Sequence, residues 1–226
     1  MSEGPTGLAP RLAAVRRRIE AASADPSSVR IVAVTKGFGA DAVEAAVAVG
    51  LHDIGENYGD ELRAKAAAST GLVVDWHFLG AVQRNKVARL APMVSWWQSL
   101  SRVEEGRAVA KRRPGAHVLV QVDVAGLPGR SGCPPEEAVG LVSALRDEDL
   151  SVEGLMAVGP PGPPERSRPG FALVSGLADR LDLAVRSMGM SDDLEVALSE
   201  GSTMVRLGRA LFGDRRPRPA GDRASG

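Results

Sequence analysis

A closed α/β barrel, a single (β/α)8 barrel of the TIM type with an extra N-terminal helix, is the fold class this sequence predicts, on three observations. The chain has 226 residues, a length that suits one such barrel. Short apolar runs rich in β-branched residues alternate with amphipathic stretches along most of it. The alternation repeats eight times, and that count favours a closed barrel over a doubly wound open sheet.

The elements follow in order. Residues 10–22 carry Leu12, Val15 and Ile19 at helical spacing between arginines, with Pro10 suited to a first turn. Asp25-Pro26-Ser27 ends that helix, and the first strand runs through Arg30-Ile31-Val32-Ala33-Val34-Thr35-Lys36, where no polar face is left for water. Asp41 with Glu44 resembles a capping box opening the next helix, and Gly50 stands where its C-terminal cap belongs. Strands are then predicted over 51–56, 73–79, 93–98, 117–123, 151–158, 183–187 and 203–207. Helices fall between them over 57–68, 83–90, 101–113, 134–146, 171–181 and 192–199, with Ser101 and Glu104 as a second capping box and a short terminal helix after the last strand. The run from Gly159 to Pro164 fits neither helix nor central strand and reads as a long loop after strand six. Residues 1–213 form one domain in this reading, and 214–226, rich in Arg, Pro and Gly, form a disordered tail.

Composition narrows the function classes. Lysine plus arginine number 28 and aspartate plus glutamate 28, so no net field favours nucleic acid or an anionic membrane, and neither partner is expected. Cys133 is the only cysteine, which rules out an intrachain disulfide or a cysteine cage for a metal. The N-terminal residues lack a basic region followed by an apolar stretch, and no uncharged apolar run is long enough for a bilayer. The expectation is a soluble, cytoplasmic protein without a metal site.

Lysine occurs only at Lys36, Lys65, Lys86 and Lys111, arginine supplying the other positive charge. A lysine closing a buried strand either snorkels to the rim of the sheet or serves as an amine whose proton desolvation helps remove, and a neutral amine attacks aldehydes. In α/β barrels the site lies at the C-terminal ends of the strands, with phosphate often held after strands seven and eight. The run Ser187-Met188-Gly189-Met190-Ser191-Asp192-Asp193 follows strand seven; Gly201-Ser202-Thr203 precedes strand eight, and Arg206-Leu207-Gly208 closes it. Their hydroxyls, backbone N–H groups and glycines suit an anion, although Asp192 with Glu195 also reads as a helix cap. Arg206, among Met204, Val205 and Leu207, needs either a structural carboxylate or a ligand acceptor. Asn57 stands at the end of strand two. A lone histidine in an apolar strand, as His77 is, is more often a hydrogen-bonded core residue than a catalyst.

These motifs, namely Ala33-Val34-Thr35-Lys36, Gly55-Glu56-Asn57-Tyr58, Trp76-His77-Phe78-Leu79-Gly80 with Gln83, Asn85 and Lys86, Gly154-Leu155-Met156-Ala157, the Ser187–Asp193 run and Gly201 through Gly208, make the chain resemble the YggS/PROSC family of pyridoxal-phosphate homeostasis proteins. The resemblance spans roughly residues 29–213. It implies a barrel like the N-terminal domain of alanine racemase, pyridoxal 5′-phosphate as cofactor, and a Schiff base on Lys36. It further implies phosphate contacts at Ser202 and Thr203 with the backbone near Gly189 and Gly208, Arg206 facing the pyridine nitrogen, and Val34, Asn57, His77, Ser187, Met188 and Ser191 around the cofactor. The family role is intracellular cofactor homeostasis by a monomer, with cofactor-requiring apoenzymes as partners and without robust catalysis; the alternative is a racemase-like enzyme. The chain departs from the pattern at Gly37-Phe38-Gly39, in its proline-rich loop, and at Arg130, which stands where the family often has a lysine and so keeps charge but loses an amine.

Overall fold

In the computed structural model, which describes residues 7–214, eight parallel strands close into a barrel whose strand order follows the sequence. They are β1 (Arg30–Val34), β2 (Asp53–Glu56), β3 (Asp75–Phe78), β4 (Val94–Leu100), β5 (His117–Val122), β6 (Ser151–Ala157), β7 (Val185–Ser187) and β8 (Met204–Leu207). Helix α1 (Leu8–Ala22) precedes them. One helix then follows each strand in turn: α2 (Asp41–Ala48), α3 (Gly59–Ala68), α4 (Arg84–Leu90), α5 (Val103–Ala110), α6 (Ala138–Asp147), α7 (Arg168–Arg180), α8 (Leu194–Ser199) and α9 (Arg209–Phe212). The expected tail lies outside the described residues apart from Asp214.

Helix ends are where the sequence reading is corrected. Asp41 caps nothing at its helix N-terminus, where Ala40 is the capping position. The box expected of Ser101 and Glu104 is displaced by one residue: Glu105 Oε2 accepts from the backbone N–H groups of Ser101 (2.8 Å) and Arg102 (3.2 Å). Asp192 instead pairs with Arg209, and Glu195 with Arg18, while Asp193 occupies the cap of α8. Residues 135–137 form a 3-10 turn ahead of α6, and α7 begins at Arg168, three residues earlier than expected, with Pro169 in its first turn. Gly50 does cap α2. Its φ is +80°, its N–H donates to Val47 O (2.9 Å) and that of Leu51 to Ala46 O (2.9 Å), a Schellman motif.

The core has two layers. Outside the strands, Ala33, Ile54, Phe78, Trp97, Val118 and Leu155 pack under the helices, among them α1, which buries Leu8, Leu12, Val15 and Ile19. Inside, Val32, Leu119, Met156 and Met204 share the barrel with a directed chain of hydrogen bonds. Arg206 Nη1 donates to Ser187 Oγ (2.7 Å), whose hydroxyl donates to Gln98 Oε1 (2.7 Å). Gln98 Nε2 donates to His77 Nδ1 (2.7 Å), leaving the ring proton on Nε2 to be donated to Asp53 Oδ1 (2.8 Å). The chain runs from a cation near the C-terminal ends of the strands to a carboxylate at the start of β2. Every link is satisfied, which a buried polar network requires.

Two predictions follow from these contacts. Among the described residues nothing lies within 4 Å of a β-carbon built on Gly50, so Gly50→Ala tests the positive φ alone. It should cost about 1 kcal/mol in urea unfolding. Burial holds the pKa of His77 below its ordinary 6.5, with Asp53 opposing. The fold thus keeps the ring neutral, the unfolded chain takes up the proton first as pH falls below 6.5, and this contribution to stability is lost as pH falls through the folded pKa. His77→Gln should flatten that part of the stability curve, and an unchanged slope would rule the ring out as its source.

Candidate functional site

Side chains alternate along β1, and the alternation delivers Lys36. Val32 belongs to the interior cluster and Val34 lines a cavity at the C-terminal ends of the strands, while Ala33 packs outward under the helices. Thr35 continues the outward series, its hydroxyl donating to Glu56 Oε1 (2.6 Å). Lys36 therefore returns to the inside. It is half-buried and is the only lysine lining the cavity among the described residues.

The cavity measures about 970 Å³. Asn57 enters it one residue past β2, and its Oδ1 is buried without a hydrogen-bond partner among the described residues. Gly80 holds that segment in place: a β-carbon there would lie 1.9 Å from Asn57 O. Arg206 enters from β8. Its Nη1 donates to Ser187 O (2.6 Å) as well as to the hydroxyl, and its Nη2 donates to Ala157 O (2.8 Å). Among the described residues no carboxylate pairs with it directly, and its structural partners are backbone carbonyls and a hydroxyl. Burial pushes the guanidinium down to about 10, with the charge of Asp193 opposing. At neutral pH it is a desolvated cation facing the cavity.

Segments after β7 and β8 complete the wall. Gly189, at φ +91°, turns where a β-carbon would meet Ala197 Cβ at 2.6 Å. Its carbonyl accepts from Arg206 N (3.0 Å). Ser191 lines the cavity and its hydroxyl accepts from Ala210 N (3.0 Å), tying the β7 loop to α9. Gly208 passes so close to β1 that a β-carbon would sit 3.2 Å from Val34 O. Across the cavity stand Gln121 from β5 and Asp123 just past it, Met156 from β6 and Val158 just past it, and the 159–164 loop.

Of the residues singled out from the sequence, Lys36, Val34, Asn57, Ser191, Arg206 and Gly208 meet at this cavity. Ser187, Met188 and Gly189 are buried directly behind it. His77 lies deeper, within the polar chain, and does not line the cavity. Ser202 and Thr203 are corrected: they precede β8 and so sit at the opposite end of the barrel. The Ser202 hydroxyl donates to Met188 O (2.7 Å), and Thr203 Oγ1 accepts from Arg186 N (2.9 Å), so both are committed to backbone. Gly201, at φ +82°, caps α8 there, with Ser202 N donating to Ala197 O (2.9 Å).

Sequence reasoning passed over the group behind Lys36. Lys65 on α3 is buried, and its Nζ donates to Glu56 Oε1 (2.5 Å) and Thr35 O (2.7 Å) and lies 3.6 Å from Glu61. Glu61 Oε2 in turn accepts from Gly37 N (2.9 Å). Burial raises the pKa of Glu56, with Lys65 opposing. The signal was present: Lys65 falls on the buried stripe of α3, in step with Leu62 and Ser69, a poor position for an uncommitted lysine.

The model of the alanine racemase N-terminal domain matches residues 11–216. The pyridoxal phosphate homeostasis protein of Pseudomonas aeruginosa is 39% identical over 223 residues, covering 95% of this chain and 97% of that one. Among solved structures, PipY of Synechococcus elongatus without its ligand superposes with a TM-score of 0.83 at 30% identity, and the form described as having PLP bound superposes at 0.76; each covers 91% of this chain and 100% of its own. The barrel, the lysine at the end of its first strand and these matches place the chain in the alanine racemase N-terminal domain family, among the pyridoxal phosphate homeostasis proteins.

Proposed function

We propose that this chain binds pyridoxal 5′-phosphate through Lys36 and serves the intracellular supply of that cofactor rather than its catalytic use. The observation that carries the reading is that the one lysine lining the cavity among the described residues shares it with a desolvated guanidinium, Arg206, and a buried carbonyl without a partner among those residues, Asn57 Oδ1. Such a donor set fits the group: an aldehyde wants an amine, ring oxygen or nitrogen substituents want polar partners, and a phosphate wants amides and hydroxyls. When bound, the cofactor supplies an aldehyde that condenses with a primary amine with loss of water.

The chain's own residues divide the remaining work. Ser191 and the backbone of the 189–192 and 208–210 segments would hold the phosphate, not Ser202 or Thr203. Val34 and Gly208 shape the wall beside Lys36, and Ser187, Met188 and His77 support it from behind. Arg206 is kept cationic in the cavity, where it would disfavour protonating a ring nitrogen facing it and so would weaken the ring as an electron sink.

A non-catalytic role is supported by what three of the four lining carboxylates do: Asp192 is paired with Arg209, and Asp123 and Asp193 serve the backbone. Asp123 accepts from the N–H groups of Ala125 (3.0 Å) and Gly126 (3.1 Å), and Asp193 accepts from Met190 N (2.7 Å) and the Ser167 hydroxyl (3.2 Å). Both are occupied in shaping loops. The only tyrosine, Tyr58, is exposed and does not line the cavity. We read the molecule as a cytoplasmic monomer of one domain over 1–213, with apoenzymes that require the cofactor as its partners.

Purified protein given pyridoxal 5′-phosphate should turn yellow, and borohydride should fix the group on Lys36, as mass mapping will locate. Lys36→Ala should abolish both signals, and a colour that survives this substitution defeats the reading. Chiral analysis after incubation with amino acids should detect no sustained inversion; inversion would return the racemase alternative.

A further inference from the structure

We propose that Lys65, together with Glu56 and Glu61, is a positioning device for Lys36, which it sets by gripping the residues on either side of it. The proposal rests on the reading of Lys36 as the attachment amine. Its evidence is the direction of the contacts. Lys65 Nζ donates to the carbonyl of Thr35, and the Thr35 hydroxyl donates to Glu56, the carboxylate that Lys65 also binds. On the far side of Lys36, Gly37 N donates to Glu61, which lies 3.6 Å from the same ammonium. One cation thus connects the backbone before Lys36 to the backbone after it.

The cost of the arrangement argues for such a role. Glu56 is fully buried and Lys65 is 5% exposed, so both charges have left water. Apolar side chains of similar volume commonly stabilise a fold as well as a buried ion pair does, or better. Apolar contacts have no direction, however, whereas the carbonyl of Thr35 and the N–H of Gly37 are each fixed along one line. Lys36 needs that, since it sits where the chain leaves β1 and Gly37 already has a φ of +78°. Misplacement of a reacting amine by an ångström is enough to slow a condensation strongly.

The test compares full-length variants, each first checked by circular dichroism and urea unfolding. Glu56→Gln/Lys65→Met removes both buried charges together, so neither is stranded, and it should unfold near the wild-type midpoint. Its rate of colour development with pyridoxal 5′-phosphate should fall by about tenfold or more. Glu61→Ala, at a partly exposed position, removes the acceptor for Gly37 and should also slow the reaction. Glu61→Gln keeps an acceptor oxygen and should restore most of the rate, a rescue that a purely structural role would not produce. In the unliganded protein, hydrogen exchange at Gly37 should quicken by roughly tenfold in the double variant and in Glu61→Ala, the worth of one hydrogen bond. Folded variants that react at the wild-type rate, or that leave exchange at Gly37 unchanged, overturn the proposal. If wild-type protein takes up no aldehyde, the functional reading falls by itself, and the exchange measurements still decide whether Lys65 sets the backbone around Lys36.

Discussion

Parallel pairing of β1 with β8 is the contact on which the site depends. Val32 stands opposite Arg206 and Ala33 opposite Leu207, so closing the barrel brings the end of the first strand beside the end of the last. Lys36 and Arg206 come from nearly opposite ends of the sequence, and no local structure could join them. The closure also explains Gly208. It passes the end of β1 at a distance where a side chain would press on the Val34 carbonyl, and the cavity wall is continuous there.

Lys36 and Arg206, two of the charged groups at the cavity, are supported from behind by polar contacts, in different ways. Arg206 rests on neutral acceptors, two carbonyls and a hydroxyl, in a chain that reaches Asp53 only after Ser187, Gln98 and His77. Full ion pairing would have cancelled its charge locally, whereas carbonyls and hydroxyls hold the guanidinium plane while leaving a net positive charge at the cavity. Behind Lys36 the opposite arrangement holds. The ionic group lies outside the strands, under α3, and touches the neighbours of the lysine. The two devices are separated by the sheet itself.

The barrel was legible because its signals are regular. Eight apolar runs alternating with helical stretches, with Ile31, Val32 and Val34 leaving β1 no wet face, admit few other architectures, and Gly50 marked a helix end because a left-handed cap favours glycine. Capping boxes were less legible. Asp41 with Glu44 and Ser101 with Glu104 have the right spacing, yet the entry angle of each helix is set by packing on the sheet, and a shift of one residue transfers the cap to Glu105 or abolishes it. Ser202 and Thr203 were misjudged for a geometrical reason. Residues 202 and 208 belong to one motif, but a strand separates them, and six residues at about 3.3 Å each carry the chain about 20 Å, from one end of the barrel to the other. Adjacency in a motif therefore argues against a shared site whenever the motif contains a strand.

Lys65 raises the reverse point, since its helix offers only that lysine's place in step with Leu62 as a signal in the sequence, yet is decisive as a structure. Residues 59–68 bury only Leu62 and Lys65, which is little apolar surface with which to dock a ten-residue helix. The docking instead relies on directed bonds to Glu56 and to the backbone of Thr35 and Gly37. A helix held by leucines can slide or rotate by a fraction of an ångström at little cost, because apolar contact is nearly indifferent to direction. One held by an ammonium with three oxygen neighbours cannot, because each displacement lengthens at least one bond in a medium that offers no water in exchange. Rigid registry between α3 and the end of β1 is what this group adds to the fold, and Lys36 lies between the two backbone positions that receive it.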